Sequence, residues 1–170
     1  MKVFLFVIAT LFAFGSTAAA QKSDSIKPPP DSAAAEEVQK WLASSITKYG
    51  SYKTRTTSVA ISDVRFEGCT IRYTQTQKSG SVSTATMGVT RTINTVKDDI
   101  EIDAAIMSKD HIKLLDHIYP ELRTIEINLK NSQTTGVGDS RIIELVVKAE
   151  AADAIRTALI QSARICALKN

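Results

Sequence analysis

Apolar and polar positions change their spacing several times along the chain, and each change marks a different kind of segment. The apolar run Val3 to Gly15 follows Met1 and the basic Lys2 and gives way to the small residues Ser16 to Ala20. It is shorter than the ~20 residues that cross a bilayer as a helix. Its order of positive start, apolar middle and small-residue end predicts a secretory signal peptide over residues 1–20. Residues 21–32 are polar and carry Pro28, Pro29 and Pro30, which predicts an extended spacer ahead of a single globular domain over residues 33–170.

In that domain the first apolar residues recur at helical spacing: Val38, Trp41, Leu42, Ser45, Ile46 and Tyr49. Asp31 or Ser32 is placed to cap this helix, Glu36 and Glu37 fall in its first turn, and Gly50 is placed to end it. From Tyr52 the period drops to two and Thr, Ser, Val and Ile dominate, the pattern of successive antiparallel strands. Val59 with Ile61, Val64 with Phe66, and Cys69, Ile71 and Tyr73 each share a face. Turns are expected at Ser79 and Gly80, at Lys97 to Asp99, and at Gly136 and Gly138. Ile100, Ile102 and Ile106 suggest a further strand. Arg123 to Lys130 and Ile142 to Val147 give the clearest alternation. Ala149 to Leu168 contains no Gly or Pro and sets Ala151, Ile155, Ala158, Leu159, Ser162 and Cys166 along one stripe, a closing amphipathic helix. The fold class expected is α+β: an N-terminal helix, about seven antiparallel strands and a C-terminal capping helix.

Composition narrows the partners. The chain's net charge of +3 falls to +2 without the leader, whose only charged residue is Lys2. Trp41, Tyr49, Tyr52, Phe66, Tyr73 and Tyr119 are the aromatics that remain, too few for the stacking platforms of single-stranded nucleic acid recognition. Nucleic acid is therefore excluded as the expected partner, and membrane association is at most peripheral. Cys69 and Cys166 are the only cysteines. Both lie in the exported portion, each on the apolar stripe of its element, so a disulfide pinning the last helix to the sheet is expected.

Catalytic equipment is sparse. His111 and His117 each follow an aspartate, Asp110 and Asp116, but a six-residue spacing does not suit zinc ligation from one helix, and a solvated loop is the expected reading. GxSxG, HExxH, GxxxxGK[ST] and GxGxxG motifs do not occur, so neither a cofactor nor a metal is expected. Asp98, Asp99, Glu101 and Asp103 form an acidic cluster read as a solvated turn and strand edge. Lys48, Lys53, Arg55, Arg65 and Arg72 form a candidate basic face toward an anionic partner, weighed against an edge strand kept soluble by cations.

The order of elements resembles the pleckstrin-homology superfold, in which two nearly orthogonal sheets form a barrel-like sandwich plugged by the final helix. The stretches Phe66-Glu67-Gly68-Cys69 and Ala154 to Cys166, the latter ending Ala-Arg-Ile-Cys, are also similar to a loose group of uncharacterised secreted bacterial proteins with a tryptophan-bearing first helix, as here in Val38 to Ile46. The resemblance implies architecture and no activity. The function expected is that of an exported, periplasmic or extracellular, non-catalytic binding module for a protein partner, contacting it through a sheet edge or the cleft beside the first helix. The alternatives are a carrier of a small apolar ligand or lipid, and a small hydrolase using His111 or His117 as base.

Overall fold

The computed structural model describes residues 26–85, 88–107, 109–130 and 140–168. The signal peptide expected over residues 1–20 and the turn expected at Gly136 and Gly138 lie outside the described residues. Helix α1, Ala35–Tyr49, buries Val38, Leu42, Ser45 and Ile46 along one stripe, and each large apolar side chain so covered stabilises by about 2 kcal/mol. Neither Asp31 nor Ser32 caps it. Ala34 occupies the cap position without a side-chain bond, and Glu36 and Glu37 supply the negative charge that the helix dipole favours there. Gly50 ends the helix, as expected, for a steric reason: a Cβ there would sit 2.5 Å from Ile61 Cδ1 and 2.6 Å from the Ile46 carbonyl oxygen.

Strands β1 (Tyr52–Lys53), β2 (Thr57–Glu67), β3 (Thr70–Ala85) and β4 (Gly88–Asp103) form one antiparallel sheet in that order. Val59 and Ile61 face the core, and the next apolar pair, Val64 and Phe66, has the opposite parity. A bulge between Ser62 and Arg65 absorbs the extra residue, with Asp63 in the left-handed region at φ 55°, so both pairs reach the same side. Gly68, at φ 62°, and Cys69 make the two-residue turn that pairs Glu67 with Thr70.

The expected turns at Ser79 and Gly80 and at Lys97 to Asp99 do not form. Strand β3 runs through the first and β4 through the second, in one hairpin paired from Thr70↔Asp103 to Ala85↔Gly88. β-Branched residues on both sides of each site favour extended backbone, and the Gly80 amide donates to the Thr56 carbonyl at 2.8 Å. Ile106 lies in a 3₁₀ turn, Ala104–Ile106, capped by Asp103, and not in a strand. Strands β5 (Ile112–Asp116), β6 (Leu122–Lys130) and β7 (Ser140–Lys148) form the second antiparallel sheet, with β6 central.

The α+β class therefore stands, with two α-helices and seven strands among the described residues, but the two sheets do not close into a barrel. The helices intervene. Helix α1 packs on β2 and on α2, and α2 (Ala149–Ala167) packs on β5, β6 and β7. The apolar faces of the sheets are thus covered largely by helix. Helix α2 is buried on most of its surface, with Ala151, Ala152, Ala154, Ala158 and Ala163 enclosed beside Ile155, Leu159 and Ile160. Small residues let its neighbours approach closely from several directions. The segment expected as a spacer is also partly packed: Pro29 is buried, Ile26 rests on the core, and Gln161 Nε2 donates to the Pro30 carbonyl at 2.7 Å.

Cys69 and Cys166 form the expected disulfide, with Cα atoms 5.8 Å apart. It fastens the β2–β3 turn to the last turn of α2. A bridge of this kind suggests an oxidising, exported environment, and among the described residues no helix is long and apolar enough to cross a membrane.

Two outcomes follow for stability. The bridge closes a loop across a sequence separation of 97 residues, so replacing both cysteines with serine should lower the unfolding free energy by about 4 kcal/mol in a urea titration. Tyr73 is 2% exposed and its hydroxyl has no hydrogen-bond partner among the described residues. Burial pushes this phenol well above its ordinary range, and Tyr52 moves the same way. The neutral forms are retained in the folded state while the unfolded chain ionises near pH ~10. Stability is therefore unaffected below that pH and falls as pH rises above it. Tyr73→Phe should raise stability at neutral pH by about 1 kcal/mol and flatten the alkaline loss, both read from urea curves between pH 7 and 11.

Candidate functional site

The basic face expected from the sequence is divided among different tasks. Arg65 Nε contacts Glu67 Oε1 at 3.1 Å, while the Arg72 guanidinium reaches Glu67 and Glu101, each at 3.3 Å. These two arginines are neutralised on the solvent face of the first sheet. Lys48 Nζ lies 4.7 Å over the Tyr49 ring, a local cation–π contact. Lys53 and Arg55 remain, and the fold adds Lys78 to them. The three cations line a groove of about 400 Å³ beside Gly80 and Ile93, with Thr54, Thr56, Thr57 and Ser58 and no carboxylate among the described residues that line it. Lys78 is a contributor that the sequence reading missed, because a turn placed at Ser79 hid its pairing with Ser58 and Thr95.

The two histidines sit at opposite ends of β5, His111 just before it and His117 just after it. His117 Nδ1 accepts a hydrogen bond from the Tyr119 amide at 3.2 Å, and its ring stacks on Tyr119 at 5.6 Å. That bond occupies the lone pair through which this nitrogen would act as a base. His111 sits in the 3₁₀ turn Lys109–His111, half-buried, with Nδ1 enclosed and unpartnered among the described residues. His117 thus lies in the solvated loop between β5 and β6, as expected, whereas His111 lies in a 3₁₀ turn.

The acidic cluster is absorbed into the hairpin. Asp99 accepts from Thr74 Oγ1 at 2.7 Å, Glu101 pairs with Arg72, and Asp103 accepts from the Ala105 amide at 2.9 Å. No group of three or more His, Cys, Asp or Glu side chains among the described residues is placed to hold a metal ion.

Two surfaces have the extent of a binding site. One is an open-sided cleft of about 800 Å³ between the ends of the two sheets, where Val59, Leu122 and Tyr52 meet the exposed Lys53, Lys148 and Glu150. The other is the edge of β4. This strand runs for 16 residues, and among the described residues its hydrogen-bonded neighbour in the sheet is β3 alone. Residues 92–99 are all exposed, Ile93 at 60% and Val96 at 53%. Strand β2 stops pairing at Thr57↔Ser79, with one further bond from the Gly80 amide to the Thr56 carbonyl, so from Ser81↔Thr92 outward, among the described residues, β3 and β4 pair with each other alone. A two-stranded ribbon of this sort is marginally stable in water. Its signal in the sequence is the continuous Thr, Ser, Val and Ile content from Thr70 to Ile102, interrupted by the polar groups that were read as turns.

No protein-family model matches the chain, and no curated protein or solved structure is significantly similar to it.

The Arg65–Glu67–Arg72–Glu101 network lies on a half-exposed face, where each ion pair is worth little. Arg72→Gln should cost less than about 1 kcal/mol in urea unfolding at low ionic strength, and the difference should vanish in ~1 M salt, where the screening length is ~3 Å.

Proposed function

We propose that the protein is exported, sheds residues 1–20, and serves in the periplasm or outside the cell as a non-catalytic interaction module that takes a partner's strand along β4. The observation that carries this reading is the length of edge left unpaired among the described residues: eight consecutive exposed residues, 92–99, with apolar Ile93 and Val96 among them. Unpaired N–H and C=O groups in register are a template for strand addition. Lys97, Asp98 and Asp99 restrain indiscriminate pairing, which gives such an edge selectivity. The disulfide holds the base of the hairpin on the body of the protein, so that the edge is presented on a rigid support. The leader expected over Met1 to Ala20 and the paired cysteines support export.

A photo-crosslinking residue at position 96, with the same residue at the exposed helical position 40 as control, tests the reading in the compartment where the protein accumulates. Adducts are expected at 96 and not at 40. Absence of any adduct at 96 would overturn strand addition at this edge.

A further inference from the structure

Smaller than the cleft and the β4 edge, the groove beside the β1–β2 turn is the surface whose chemistry is most uniform. Two of its cations are set by strand register. Lys53 pairs with Ser58, Ser58 with Lys78 and Lys78 with Thr95; residues directly opposite in antiparallel strands share a face, so the four form one row across the sheet. That face is turned away from the core, because Val59, next to Ser58, is buried. The two lysines stand two strand spacings apart, about 10 Å between backbones, with the Ser58 hydroxyl between them. Gly80 and Ile93 form the adjacent row outward, and a Cβ on Gly80 would meet only the Thr56 carbonyl, at 3.8 Å, so the floor there is open. Lys97, exposed and opposite Thr76 one row toward the base, adds a fourth positive charge to the same face. Going that way, the first carboxylate on the face is Asp99, which accepts from Thr74 Oγ1; going the other way, residues 81–91 contain no acid at all.

The remaining cation, Arg55, comes from a turn that is pinned on two sides. Thr54 Oγ1 accepts from the Thr57 amide at 3.1 Å and donates to the Thr57 carbonyl at 3.2 Å, while the Gly80 amide donates to the Thr56 carbonyl at 2.8 Å. Thr56, Thr57 and Ser58 bring hydroxyl donors to the same lining. Among the described residues no ion pair joins Lys53, Arg55 or Lys78 to a carboxylate, although Lys53 also borders the larger cleft where Glu121 and Glu150 lie. Gathering cations without counter-charges costs repulsion, which a bound anion relieves. Ammonium, guanidinium and hydroxyl groups suit a ligand with concentrated negative charge and several acceptor oxygens. A phosphate ester carries about two negative charges and three such oxygens, whereas a carboxylate has a single charge and leaves part of the donor set unused. We propose that the groove binds a phosphomonoester group, seated over Ser58 between Lys53 and Lys78, with the Arg55 fork closing on it from the turn. The same group occurs on small soluble phosphate esters and on the headgroup of phosphatidic acid. Val96 lies on the other face, opposite Gln77, so this site is independent of strand addition.

Two arms of one experiment test the site and separate its sources. In the first, glycerol 3-phosphate is titrated into the purified protein by calorimetry, with a Kd of about 1 mM or tighter expected, and acetate at equal ionic strength should bind about tenfold more weakly or less. In the second, the protein is sedimented with vesicles of phosphatidylcholine containing phosphatidic acid and with vesicles of phosphatidylcholine alone. Lys53→Gln and Lys78→Gln should each weaken binding about tenfold, and Gly80→Val, which fills the groove without changing its charge, should do the same. Lys113→Gln, an exposed lysine on the second sheet, should bind as wild type does. Circular dichroism and a count of free thiols confirm that each variant is folded and bridged. Binding to glycerol 3-phosphate supports a soluble ester as ligand; sedimentation with phosphatidic acid in the absence of that binding supports a lipid headgroup. Binding in neither arm, acetate held as tightly as the phosphate ester, or binding that survives either Lys78→Gln or Gly80→Val would each overturn the proposal.

Discussion

Helix α2 leaves little more than one stripe free, at Glu150, Asp153, Thr157 and Arg164, and the positions of the other elements follow from covering the rest. Eleven of its 19 residues are buried, far more than one amphipathic stripe supplies. Helix α1 takes one side, the three-stranded sheet another, the Ala104–Ile106 turn a third, and the residues around Pro30 lie against Gln161. Alanine at so many of the contacts keeps these neighbours close, because each is met by backbone and a methyl group and not by a long side chain. The Cys69–Cys166 bridge then ties the far end of this helix to the one turn of the first sheet that lies beside it.

The first sheet is asymmetric as a result. Its base carries Ile71, Tyr73 and Ile102 into the core. Among the described residues no helix packs on its outer half, and Gln75, Gln77, Asp98 and Val96 replace those apolar positions on the same face. One hairpin therefore serves two purposes along its length, structural where it is apolar and outward-facing where it is polar. The cationic groove and the exposed valine both belong to the second part.

Much of this architecture was legible in the residues. The periodicity of Val38 to Ile46 and of Ala151 to Cys166 gave both helices, and the alternation through Ile125, Ile127 and Leu129 gave the central strand of the second sheet. Two cysteines on apolar stripes gave the bridge. The hairpin was harder to read, because Ser79-Gly80 and Lys97-Asp98-Asp99 have turn composition while their pairing is set by neighbours distant in sequence. The basic face failed for a related reason: Arg65 and Arg72 look alike in the chain as Lys53 and Arg55 do, and only the fold shows that Glu67 and Glu101 neutralise the first pair. Barrel closure could not be judged from element order, which does not say that the helices lie against the apolar faces that a barrel would have turned inward.

The bulge at Asp63 has a bearing on folding fidelity. A strand pair whose outward length is exposed on both faces has little to choose between neighbouring alignments, because sliding by a single residue is ordinarily prevented by the penalty of turning buried apolar side chains into water. In this hairpin that penalty operates only near Ile71 and Tyr73. The extra residue at Asp63, three strand pairs from the bridged turn, acts as a notch on the neighbouring strand: it fixes β2 against β3 through the six pairs from Ser62↔Thr74 to Thr57↔Ser79, and so holds one side of the hairpin in place.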